Sequence, residues 1–284
     1  MLPPHVASAA IVLDELQLVY VPVPKSGSTA MLWALLELSE LDRGDFASSP
    51  KLEVTRALTI HDTRIWGSRH LLDGRDARTL FDSPEWLAFT IVREPVRRIW
   101  SAWVSKILLR DPRFVTTFGD EAWFPEPPSS AEDVVRSFRS FVEVLPQRTA
   151  DWHDPHWSPQ AELIGIGGLG YDVVARVEDL PGALDPVTAH LRHRGRELRV
   201  GRENPSLAAF VPELLDGDAW ERCMEMTARD REVFGYEATP RATGDPDQAW
   251  VAGVEAIIPA IHAVIERNER IGDLKRLITR SRVP

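Results

Sequence analysis

The chain has 284 residues and a formal net charge of −10, which excludes a nucleic-acid or anionic-membrane binder working through a broad basic face. Its 44% hydrophobic and 27% charged content is that of a globular protein long enough for a sizeable core. The lone Cys223 excludes an internal disulfide framework and any multi-cysteine metal site, and reads as a small hydrophobe on a helix.

The N-terminal stretch MLPPHVASAAIVLDELQLVYV lacks a basic leader, and Asp14 and Glu15 interrupt its apolar run. It reads as neither a signal peptide nor a membrane span, and no later segment approaches the length of a transmembrane helix. A cytoplasmic chain is expected. Its preference for Arg over Lys, with much Ala, Asp and Pro, points to a GC-rich bacterial genome. Residues 9–16 form a short strand or lead-in to a central strand at 17–23, followed by a small-residue turn and an apolar helix from about Thr29. Residues 57–61 are a short apolar segment and 66–72 read as helical. A second strand, 86–92, is broken by Arg93-Glu94-Pro95, and Pro95 suits the first turn of a helix running to about Leu109. Strand–turn–helix thus occurs twice. This predicts an α/β fold with a central, mainly parallel sheet flanked by helices, doubly wound, with ligands beyond the carboxyl ends of the strands.

Residues 111–128, rich in Pro, Phe and Trp, read as a lid or acceptor-facing loop, and 151–160 as a second one. Between them Ser129-Ser130-Ala131-Glu132 opens a helix as a capping box. A strand at 171–177, a helix near 184–194 and an amphipathic helix over 220–234 follow. Residues 246–282 hold a long helical pattern with Pro259 inside, so a kink or two helices are expected. The domain reading is one domain over 1–240 and a helical extension over 241–284, packed on that domain or at a homodimer interface.

Two turns carry the chemistry. In Pro24-Lys25-Ser26-Gly27-Ser28-Thr29, Gly27 permits close backbone approach and Ser28 and Thr29 bring hydroxyls to a helix start, which is an anion site. A plain tight turn is the bland alternative. With one Gly, preceded by the Lys, it is not a Walker A loop, and no strand-terminal Asp reads as a magnesium partner; no metal is expected. In a chain that otherwise uses Arg, Lys25 reads as a compact point charge. In the second turn, Arg93 at the strand end can fork onto a phosphate, with Ser101 roughly 9 Å further along the helix axis. Arg97 and Arg98 cannot both face a ligand, so one of them is a surface or ion-pairing residue.

Together these motifs resemble the PAPS-dependent sulfotransferases (donor 3′-phosphoadenosine 5′-phosphosulfate), in particular the carbohydrate sulfotransferases of the HNK-1, chondroitin and heparan 2-O type. The V-P-K-x-G-S-T turn resembles the family's 5′-phosphosulfate loop, and V-R-E-P-x-x-R-x-x-S-A-W its 3′-phosphate motif. His156-Trp157-Ser158-Pro159-Gln160, Tyr171-Asp172 with Glu178-Asp179-Leu180, and the stretch from Asp230 to Tyr236 resemble further segments, in order, across roughly residues 18–237. Glu94 replaces the usual Asp, Trp103 the usual Tyr, and the tail after Tyr236 has no counterpart. The resemblance implies a P-loop-like sulfotransferase fold. It also implies PAPS as donor and PAP as product, with Lys25, Ser26, Gly27, Ser28 and Thr29 on the phosphosulfate and Arg93 and Ser101 on the 3′-phosphate. Asn204 and Ser206, in a polar loop, are further candidates for the 3′-phosphate. The acceptor is expected to be a hydroxyl of a carbohydrate, glycolipid or glycosylated small molecule.

Such an acceptor needs a general base, for which imidazole is suited. His61 is the first candidate, because it lies between the two anion motifs where the heparan 2-O type carries its catalytic histidine. His156 is the second; Glu53 and Asp62 are weaker. Trp100 or Trp103 on the adenine competes with a core role for either. Two rival readings remain: a P-loop-like nucleotide kinase, and a non-catalytic PAP(S)-binding protein.

Overall fold

The computed structural model describes residues 2–46, 56–72, 75–148, 154–201 and 207–281. The chain divides into two compact units, one made of Met1–Pro50, Val54–Arg98 and Asp154–Pro205, the other mainly of Ile99–His153 and Ser206–Pro284.

The first unit holds a four-stranded sheet in the order β1 (Ile11–Leu13), β2 (Leu18–Val21), β3 (Leu87–Val92) and β4 (Val173–Arg176). β1 pairs antiparallel with β2, whereas β2 with β3 and β3 with β4 are parallel, Val21 standing opposite Thr90 and Val92 opposite Arg176. The expected α/β class with a mainly parallel sheet is present. The expected doubly wound topology is not, because the strand order follows the chain without reversal and so makes no switch point among the described strands. What positions a site instead is that β2 and β3 are neighbours ending on the same edge.

β1, β2 and β3 are buried along their whole length, as near-continuous Val, Leu, Ile and Phe runs require of a sheet covered on both faces. The helix Ser28–Leu36 buries all nine of its residues, and Met31 and Leu35 share one core with Tyr20, Phe89 and Ile91. Each such side chain contributes about 1.5–3 kcal/mol by leaving water. Two short helices that the sequence pattern did not mark, Pro4–Ala9 and Gln160–Leu163, begin at Pro4 and after Pro159.

The second unit is helical among its described residues. Residues 111–128 are not a bare loop: the Asp111 carboxylate accepts from the Arg113 amide at 3.1 Å, Pro112 occupies the first turn, and the helix Pro112–Phe118 buries Phe114 and Phe118. The capping box sits one residue later than expected. Ser130 Oγ accepts from the Asp133 amide at 3.2 Å, starting the helix Ala131–Val144. The helix Pro95–Trp103 passes into a π-helical turn over Val104–Leu108. Trp100 and Trp103 are core residues, their rings 5.0 Å apart and both edge-on or tilted against Phe138. Cys223 is buried on the helix Gly217–Phe234.

The tail forms one helix, Gln248–Ser281, running through Pro259 where two helices were the alternative. Against the sequence expectation, its residues Gln248–Lys275 are long and apolar enough, by length and composition, to cross a membrane. In the structure they pack on the unit's own helices. Trp250 Nε1 donates to the Ala209 carbonyl at 3.0 Å and Asn268 Nδ2 to Leu109 at 2.6 Å, while Val254, Ile261 and Ile265 are buried.

Candidate functional site

β2 ends at Val21 and the chain turns through Pro24, Lys25, Ser26 and Gly27 into the helix Ser28–Leu36. Gly27 stands at the N-cap with φ +76°, a conformation that suits glycine, and offers no side chain to cap the helix. The first-turn N–H groups of Ser28, Thr29 and Ala30 therefore have no capping side chain, which is the arrangement that receives an anion. Lys25 is also left-handed, at φ +71°, a conformation costing a non-glycine residue about 1 kcal/mol. Strain of this kind persists only where the surroundings hold it.

The surroundings are specific. Arg93 Nη1 donates to the Lys25 carbonyl at 3.2 Å. Arg98, only 1% exposed, donates from Nε to the Pro24 carbonyl at 3.0 Å, from Nη1 to Ser158 at 2.9 Å and from Nη2 to Pro155 at 2.6 Å. Of the two neighbouring arginines it is thus Arg97 that lies at the surface, while Arg98 is a buried clamp. Gln160, fully buried, accepts from the Arg93 amide at 2.9 Å and from the Ser26 hydroxyl at 3.2 Å, and donates to the Arg93 carbonyl at 2.8 Å. The Ser26 hydroxyl therefore faces the protein interior.

The second turn differs. Glu94 caps the helix Pro95–Trp103 itself, its carboxylate accepting from the amides of Val96 at 3.1 Å and Arg97 at 2.7 Å. Its own amide donates to Glu178 at 2.8 Å. Burial pushes the Glu94 carboxyl above its usual range, the two amides and Arg97 oppose that, and Glu178 adds to it. The start of this helix is thus filled by its own carboxylate, whereas the Arg93 guanidinium reaches the first turn. Ser101 belongs to the second unit and is half-buried there. Asn204, Ser206 and Glu53 lie outside the described residues.

His61, exposed at the end of the turn Arg56–His61, places Nε2 2.9 Å from the Thr29 hydroxyl, in direct contact with the first turn. Asp62 is taken up by Arg64, at 2.6 Å, and by capping the short helix Thr63–Trp66. His156 Nδ1 lies 2.5 Å from the buried Asp154 carboxylate, which orients the ring. Pro155 and Ser158, on either side of it, are the residues whose carbonyls Arg98 holds. Among the described residues, no three His, Cys, Asp or Glu side chains converge as metal ligands.

Residues 8–237 match the family model described as Sulfotransferase family. The chain belongs to the sulfotransferase family. The match contains every candidate residue above and ends where the tail begins, so the helix Gln248–Ser281 lies beyond it. No curated protein and no solved structure matches the chain. In this sulfotransferase the structure gathers Lys25, Ser26, Gly27, Ser28, Thr29, His61 and Arg93 around one turn. Arg98, Asp154 and Gln160 were missed as site-building residues. The H-W-x-P-Q segment already held Gln160 beside His156, but its polar amide gave no sign that it would be buried.

Proposed function

We propose that this sulfotransferase moves a sulfuryl group from PAPS to a hydroxyl of a carbohydrate, glycolipid or glycosylated small molecule, in a bacterial cytoplasm and on a P-loop-like fold. The observation that carries the reading is the uncapped helix start after β2, with Lys25 on the turn and the Arg93 guanidinium drawn onto that same turn. An anion with charge at both ends suits two such groups. Lys25 and the N–H groups of Ser28 and Thr29 would hold the phosphosulfate, and Arg93 the 3′-phosphate.

Sulfuryl transfer is governed by positioning and by stabilising charge on the departing oxygen of an in-line displacement. Lys25 supplies that charge. His61 takes the acceptor proton in this reading, because it touches Thr29 on the donor turn. His156, oriented by Asp154, is the second base.

The test is incubation of the full chain with PAPS and a panel of such acceptors, with and without magnesium. The expected result is metal-independent PAP release with a mass gain of one SO3 on an acceptor, and at least tenfold weaker PAP binding in Arg93→Ala by calorimetry. ATP binding with a magnesium requirement would establish the kinase reading. PAP binding with no transfer to any acceptor would establish the binding protein. Turnover that survives His61→Ala and is lost in His156→Ala would move the base to His156.

A further inference from the structure

We infer that Gln160 is a positioning residue of the donor site, setting the distance between the turn that carries Lys25 and the strand end that carries Arg93. The inference rests on the donor reading given above. Its basis is an arrangement that simple packing does not require. The side-chain amide of Gln160 meets both polar groups of one residue, accepting from the Arg93 N–H at 2.9 Å and donating to the Arg93 carbonyl at 2.8 Å. This is the exchange a neighbouring strand would make, supplied one residue beyond Val92, where the pairing of β3 with β4 stops. The same amide oxygen takes the Ser26 hydroxyl, which lies on the donor turn. One fully buried side chain therefore bonds both turns at once, and a short amide fixes their spacing more tightly than a long flexible chain does.

The geometry has a chemical consequence. Lys25 sits at φ +71°, and its carbonyl is held by Arg93 Nη1, so the placement of Lys25 depends on where Arg93 is fixed. Releasing Gln160 frees the Arg93 peptide group and the Ser26 hydroxyl together. A displacement on the order of 1 Å at such a point is enough to cost about a hundredfold in rate.

The experiment compares wild type with Gln160→Met, which keeps the volume and removes all three bonds, and with Ser26→Ala, a smaller change that keeps the protein folded if Gln160→Met does not. PAP affinity by calorimetry, separate KM values for PAPS and acceptor, and hydrogen exchange of the ligand-free donor turn are measured. Expected are a PAP Kd at least tenfold higher in Gln160→Met, an unchanged acceptor KM, and exchange of residues 25–29 at least tenfold faster. In the Gln160→Met background Ser26→Ala adds less than twofold, because both act through one amide. A PAP Kd within twofold of wild type, or equal changes in donor and acceptor constants, overturns the inference. If Gln160→Met is unfolded, Ser26→Ala decides: unchanged PAP affinity and unchanged exchange overturn it. If wild type itself binds no PAP, the donor reading fails and the exchange measurement alone decides the role of Gln160, with no acceleration overturning it.

Discussion

At the scale of single residues, the first unit places polar groups where only some of them are satisfied. Tyr20 lies on β2 against Phe89, ring centroids 4.8 Å apart, with a buried hydroxyl that has no hydrogen-bond partner among the described residues. Burial pushes its phenol far above the ordinary range. An unpartnered buried hydroxyl costs about 1–3 kcal/mol, whereas the ring supplies the packing. Tyr20→Phe is therefore expected to leave the melting temperature unchanged or raise it by a few degrees; a fall of several degrees in thermal unfolding would show that the hydroxyl has a partner. Arg98 is the opposite case. Its charge is buried, yet three carbonyls receive its guanidinium, a fork that Lys cannot reproduce.

At the scale of elements, two strand–turn–helix units that look alike in sequence end differently. The first keeps its helix start open because its N-cap is Gly27, and the second fills its own with Glu94. That difference is legible in part, since Gly27 brings no side chain to its helix start and Glu94 brings a carboxylate, but only contact geometry shows that the Glu94 carboxylate folds back. Whereas β1 stops at Leu13, where Asp14–Leu16 turns, three residues short of the stretch expected as strand or lead-in, the other three strands were readable from their apolar runs to within two residues. The helix Gln160–Leu163 was not, because one turn is too short to show a period. The helix Pro4–Ala9 is tied to the end of β2 by His5 Nε2, 2.7 Å from the Pro22 carbonyl. Burial holds the His5 imidazole below its ordinary value, the Pro22 hydrogen bond opposes this, and the Arg98 charge reinforces it. A base whose folded pKa is depressed binds fewer protons than in the unfolded chain, so stability falls as pH drops through about 6.5 towards the folded value. The melting temperature is expected to fall between about pH 7.5 and about pH 5.5, and His5→Gln to lessen that fall. An identical fall in both proteins would remove His5 as the cause.

At the scale of the whole molecule, the resemblance to a family and the small-residue turn after the first long strand were legible in the sequence, but the division into two units was not. Segments far apart in the chain build each one, and no composition shift or linker marks the change. The tail was legible as helix and not as to what it covers. It lies beyond the residues that match the family, yet Trp250, His262 and Asn268 each bond backbone carbonyls of the second unit. Ending the chain after residue 240 would strip the cover from the helix Pro112–Phe118 and leave those carbonyls without these partners. The shortened chain is expected to be insoluble or to melt at least ten degrees lower, measured by soluble yield and thermal unfolding; an unchanged melting temperature would make the tail dispensable to the fold. The wide sequence spacing matters in time as well as in space. Ser26 and its partner Gln160 are 134 residues apart, so at about 5–20 residues per second a ribosome needs roughly 7–27 s to deliver the second after the first. During that interval the nascent chain holds a turn that has been made but not yet fastened.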